Sequence, residues 1–158
     1  MGIYAHVDVI LLNCEKGMVI FMTRRESRIC VFELLYETDF HNGEAPMEIY
    51  ERSLFVRDVK GSEFAKNLFV ICCENVQEID DLISESAEKW KLSRISAVTR
   101  AILRMAVGEM LYTDVPAKAC INEAVEISKV YDDSKASGFI NGILNKIARS
   151  SGRITDGE

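Results

Sequence analysis

The sequence predicts an all-α fold, a compact bundle of about six or seven helices. Three observations predict it. From Thr23 onward the apolar residues recur at helical spacing, i, i+3 and i+4. The 158 residues include only two prolines and nine glycines, too few for a multi-turn β-sandwich or a long linker. With 48% apolar and 28% charged residues, the composition is that of an ordinary globular chain about one domain long, enough for a core without cross-links.

The elements follow in order. Thr23-Arg24-Arg25-Glu26 has the T-x-x-E form of a capping box, with Thr23 as N-cap. Ile29, Phe32, Leu35 and Tyr36 then form a stripe. Asn42-Gly43 breaks that helix, and Pro46 suits the first turn of the next, whose inner face is Ile49, Ser53 and Leu54. Gly61-Ser62 opens a long third helix striped by Phe64, Leu68, Ile71, Cys72, Val76, Ile79 and Ile83, with Glu74, Gln77 and Glu78 off the stripe. The pattern lapses between Trp90 and Ser96, then restarts with Val98, Ile102, Met105 and Ala106, followed by Glu109 and Met110. Asp114-Val115-Pro116 is a stop and a new start, because the residue before proline disfavours the α region. The fifth helix carries Ile121, Val125 and Ile127. The last opens at Phe139 after Ser137-Gly138 and carries Ile143, Leu144 and Ile147. Residues 22–150 read as one helical domain, and 151–158 as a flexible tail.

Residues 1–21 differ from the rest. His6-Val7-Asp8-Val9-Ile10-Leu11-Leu12 alternates and then runs apolar, but it is too short to span a membrane and carries Asp8. It lacks the positive n-region and the cleavage site of a signal peptide. We expect this extension to be non-native or disordered, outside the functional domain.

Several chemistries find no support. The five cysteines at 14, 30, 72, 73 and 120 are odd in number and form no C-x-x-C. They read as reduced, small apolar residues of a cytoplasmic protein, not as a disulfide framework or zinc ribbon. His6 and His41 lie near no carboxylate or cysteine pattern, and no phosphate-binding glycine loop occurs. No catalytic residue, metal site or cofactor is therefore expected. A net charge of −6 argues against nucleic-acid binding by bulk charge, while leaving room for a local basic patch.

Arg24, Arg25 and Arg28 form such a patch in the first turns of the first helix. Cations there oppose the helix dipole at about 0.3–1 kcal/mol each. Arg24 and Arg28 also share a face. A cluster placed where it destabilises its own helix points to a role outside folding, such as gripping phosphates and stacking on bases. The plain alternative is a solvated helix start partly neutralised by Glu26. Phe139 has two readings as well, a base-stacking ring or a core anchor, and its stripe with Ile143 and Ile147 favours the core. Arg104, Glu109, Asn122, Glu123 and Asn141 sit inside apolar runs. They read as a hydrogen-bonded network joining the last three helices, not as acid–base chemistry. Gly142 beside Asn141 would allow close helix packing.

The stretch Asp114 to Ala148, with Ile121-Asn122-Glu123-Ala124 and Phe139-Ile140-Asn141-Gly142-Ile143-Leu144, resembles the C-terminal half of the NusB family of transcription antitermination factors. The resemblance continues through Arg100-Ala-Ile-Leu-Arg104 and Glu109 to Arg24-Arg25-Glu26-Ser27-Arg28 and Leu34-Leu35-Tyr36, covering roughly residues 22–150. It implies the same all-α fold, with an RNA-binding arginine motif at Arg24, Arg25 and Arg28, and Phe139 near the RNA surface. Lys135 stands where relatives often carry an acidic residue, which adds a phosphate contact or merely alters surface charge. Tyr36, Thr99 and Arg100 correspond to the family's partner face, where Thr99 replaces a usually acidic residue. The resemblance implies no enzyme. It implies instead a factor binding single-stranded boxA RNA of nascent ribosomal transcripts with the NusE-type small-subunit ribosomal protein, inside an RNA polymerase antitermination complex. Two alternatives stay open: a detached RNA-binding domain of a ribosomal RNA cytosine methyltransferase system, and a structural homodimer.

Overall fold

Short polar side chains set where most of these helices begin. In the computed structural model, which describes residues 22–40, 43–57, 61–88 and 91–155, the Glu26 amide donates to Thr23 Oγ1 at 3.2 Å. The Thr23 amide donates to Glu26 Oε2 at 2.6 Å. The expected capping box thus closes at the head of α1 (Arg24–Thr38). Helix α2 (Pro46–Arg57) starts on its proline. Ser62 caps α3 (Glu63–Glu74), and Ser96 caps α5 (Ala97–Tyr112). Between them lie α4 (Val76–Ser86) and a 3-10 turn, Leu92–Arg94. Helix α6 (Ala117–Tyr131) follows Pro116, and α7 (Ser134–Ser150) is capped by Asp133. Among the described residues there are seven α-helices and no strand.

Two boundaries depart from the sequence reading. The expected long third helix is two, broken at Asn75, whose side-chain amide donates to Ile71 O at 2.8 Å. An asparagine that bonds its own backbone competes with helix continuation, and apolar spacing cannot register that. The face turns at the break: Leu68, Cys72, Ile79 and Ile83 are buried, but Val76 is exposed and Phe64 only half-buried. The last helix opens at Ser134, not Phe139, because Asp133 Oδ1 accepts the Ala136 amide at 2.8 Å. Phe139 therefore lies in its second turn, half-buried against the core.

Helix α5 is the axis of the bundle. Every residue from Ala101 to Met110 is buried, as expected of a helix packed on all sides. Helices α1, α3, α4, α6 and α7 surround it, and α2 leans on α1 and α3. The close approach falls at Gly108, where a Cβ would collide with Cys72 Sγ of α3. Gly142, expected to serve that purpose, is exposed and would meet nothing within 4 Å.

Residues 151–155 are docked, contrary to the expected fraying. Gly152 adopts φ +69°, and the Gly152 and Arg153 amides donate to Arg149 O and Ala148 O at 3.1 and 2.8 Å. This Schellman closure needs the left-handed residue that glycine supplies. It lays Ile154 onto the core and lets Arg153 Nη2 donate to Leu111 O at 2.6 Å. Residues 156–158 and the extension 1–21 lie outside the described residues. Cys30, Cys72 and Cys120 are buried and Cys73 is half-buried, all as free thiols. Burial pushes Cys73 up to about 11 and Cys120 to about 12, so both stay protonated. Among the described residues no helix is long and apolar enough to cross a membrane.

Candidate nucleic-acid interface

Three arginines begin α1, and the structure gives each a different environment. Arg28 is buried. Its Nε donates to both carboxylate oxygens of Glu109 at 3.0 and 2.9 Å, and its Nη2 donates to Oε1 at 2.7 Å. Glu109 is 0% exposed. Burial disfavours the charged guanidinium, but the bonds and charge of Glu109 and the nearby Glu123 outweigh it and hold Arg28 firmly protonated. Removing one partner of such a pair strands a buried charge, at a cost of about 3–5 kcal/mol. Arg28 thus ties α1 to α5.

Arg25, 56% exposed, sits one rung outward. Its Nε and Nη2 donate to Glu123 of α6 at 2.9 and 2.7 Å. That hydrogen bond, against some desolvation, holds the Glu123 carboxyl below the usual glutamate range. Glu123 also stands 3.7 Å from Arg28 Nη1. The order Arg25–Glu123–Arg28–Glu109 is an alternating ladder running from solvent into the core. Arg24 is outermost. Among the described residues it makes no ion pair, and its guanidinium carbon lies 4.1 Å from the centre of the Phe64 ring. A hydrogen bond from Ser27 Oγ to Ser62 Oγ at 3.0 Å ties the heads of α1 and α3 together and brings Phe64 there. Phe64, read from the sequence as a core residue, is the stacking surface for Arg24.

A second ladder closes the other end of α1. Arg100 Nε and Nη2 donate to Asp39 Oδ2 at 3.1 and 2.7 Å, and Arg104 Nη1 donates to Asp39 Oδ1 at 2.7 Å. Arg104 Nε and Nη2 then bind both oxygens of Asp80 in α4 at 2.7 Å. The expected network therefore has different members. Arg104, Glu109 and Glu123 reach to α4 and to α1 and its end, while Asn122 is exposed and Asn141, among the described residues, bonds along its own helix to Asn145. A buried arginine demands carboxylates, but the sequence offers 25 acidic residues and does not say which fold back to it.

Of the residues expected at a partner face, Tyr36 is half-buried and packs 5.2 Å from the ring of Phe40, which is 64% exposed. Arg100 is engaged by Asp39. Thr99 is buried, its hydroxyl donating to Asp132 Oδ2 and accepting from Ser96 Oγ. Thr99 lines a groove of about 330 Å³ with Ile95, Asp132, Lys135 and Phe139. Lys135 and Phe139 thus gather around Thr99 at one end of α5, while Glu109, ten residues on, holds Arg28 about 15 Å away along that helix.

A bundle built round a helix buried from Ala101 to Met110, with arginines heading its first helix and pinned to the fifth and sixth, defines a distinct class of small all-α protein. A sequence model described as the NusB family matches residues 25–149, and the chain belongs to that family. The transcription antitermination protein NusB of Bacillus cereus is 40% identical over 127 residues, covering 80% of this chain and 97% of that protein. Its counterpart in Bacillus mycoides is 39% identical over the same span. Among solved structures, T. maritima NusB superposes with a TM-score of 0.72 at 37% identity, covering 82% of this chain and 92% of that one. A crystal structure of the antitermination factors NusB and NusE in complex with dsRNA gives 0.70 at 29% identity, covering 82% and 99%.

Proposed function

We propose that this chain is a transcription antitermination factor that binds boxA-type single-stranded RNA of nascent ribosomal transcripts through the head of α1. It does so with a NusE-type small-subunit ribosomal protein, in the cytoplasm, as part of an RNA polymerase antitermination complex. One observation carries the reading: two adjacent arginines stay exposed where they oppose their own helix dipole, one of them laid on an aromatic ring. A guanidinium held over the Phe64 ring keeps N–H groups for a phosphate and loses little freedom on binding.

Arg24 and Arg25 make the phosphate contacts, and Arg28 holds the helix that presents them. Lys135 and Phe139 extend the RNA path at the far groove, and Tyr36, Thr99 and Arg100 mark the face for the ribosomal protein. Two arginines on a chain of net charge −6 grip RNA weakly, which fits a factor that needs a partner. The protein acts by binding, without turnover of RNA or of a methyl donor. Residues 1–21 are dispensable for both folding and binding.

The test is a titration of boxA RNA across salt, with and without the ribosomal protein. Two phosphate contacts on a single strand give a log–log salt slope of about −1.4. The R24A/R25A variant should flatten that slope with helicity unchanged. RNA binding that survives both substitutions at full strength overturns the assignment.

A further inference from the structure

The head of α1 carries two exposed arginines, yet Glu123 already covers the bonding edge of one. This carboxylate comes from α6, 98 residues along the chain, and takes Arg25 by Nε and Nη2 together, at 2.9 and 2.7 Å. That is the fork-to-fork geometry by which a guanidinium receives a phosphate. The fold has little need of the contact. Arg28 already donates three hydrogen bonds to Glu109, with Glu123 only 3.7 Å from its Nη1, and an exposed pair such as Arg25–Glu123 contributes little to stability. Among the described residues Glu126 also acts on Arg25, and its carboxylate is engaged by Lys129 at 2.6 Å.

We infer that Glu123 is a further, specificity-determining residue of the RNA site: a resident carboxylate that holds the phosphate position on Arg25 until RNA displaces it. The inference rests on the reading of α1 as the RNA-binding element. A loosely docked polyanion meets Arg24 alone, because taking Arg25 requires a phosphate placed well enough to replace a bidentate carboxylate. Glu123 therefore lowers affinity for all strands and lowers it most for those that dock poorly.

The experiment compares wild type, R24A, R25A, E123Q and E123Q/R25A, titrated with boxA RNA and with a scrambled RNA of the same length. Melting curves verify folding, and E123A serves as a second variant. E123Q and E123A should bind boxA RNA about two- to fivefold more tightly, the equilibrium factor of one exposed ion pair. Scrambled RNA should gain at least as much, so that discrimination narrows. In the R25A background the E123Q gain should vanish. Unchanged or weaker binding by E123Q, or an equal gain without Arg25, overturns the inference in favour of a passive surface pair. If R24A weakens binding and R25A does not, the RNA reading of α1 stands and the role of Glu123 falls. If neither arginine affects binding, the RNA reading fails and takes the inference with it.

Discussion

The two ends of α1 carry ladders of the same composition put to different use. At the C-terminal end, Arg100–Asp39–Arg104–Asp80 is closed, and no member exposes more than 19% of its side chain. At the N-terminal end, Arg25–Glu123–Arg28–Glu109 starts at a fully buried carboxylate and finishes at an arginine 56% exposed, beside Arg24, which makes no ion pair among the described residues. Burial decides what such a ladder does. A desolvated rung is costly to break and fixes helix positions. A solvated rung adds little to stability and stays free to change partners. One helix thus has a fastened end and an open end.

The largest expected effect lies at the deepest rung. Glu109→Ala strands the Arg28 guanidinium in the core and should cost about 3–5 kcal/mol in denaturant unfolding. Loss below about 1 kcal/mol would mean that water reaches Arg28 and that the open end extends deeper than described.

Asp39→Asn should cost about 1.5–3 kcal/mol, the scale of hydrogen bonds to charged groups, since Arg104 keeps Asp80 but Arg100 loses its carboxylate. The same residue gives a pH signature. Burial pushes the Asp39 carboxyl up, but the bonds and charges of Arg100 and Arg104 together outweigh it and hold it below the ordinary range. Its contribution is therefore complete above the unfolded value of about 3.9 and is lost as pH falls through the lowered folded one. Acid titration of stability should show this loss in wild type and not in the Asn variant.

Between the ladders, Gly108→Ala should cost about 1–3 kcal/mol by overpacking against Cys72. Adding Cys72→Ala should restore most of it. A double mutant no better than the single would place the strain elsewhere. The smallest effect belongs to the outermost rung: Arg25→Ala should change stability by less than about 1 kcal/mol.

The sequence disclosed what depends on local chemistry. The capping box at Thr23, the stop at Asp114-Val115-Pro116 and the apolar face of α5 are all visible in short windows. The missed boundaries at Asn75 and Asp133 each turn on one side chain bonding to nearby backbone, which apolar spacing does not weigh. The arginine cluster was legible, but the division within it was not. Arg28 is buried because Glu109 lies 81 residues away on a neighbouring helix, and Phe64 became a partner of Arg24 only when α3 packed beside α1. Gly108 and Gly142 look alike in sequence, and only tertiary packing shows which one faces another helix.

The account stands on the separation between Arg28, which holds the fold, and Arg24 and Arg25, which serve binding. The direct measurement is unfolding free energy beside RNA affinity for R28A and for R24A/R25A. R28A should lose about 3–5 kcal/mol of stability. R24A/R25A should keep its melting curve and lose most RNA binding. An R28A protein as stable as wild type that loses RNA binding as R24A/R25A does would contradict the account and return all three arginines to a single surface role.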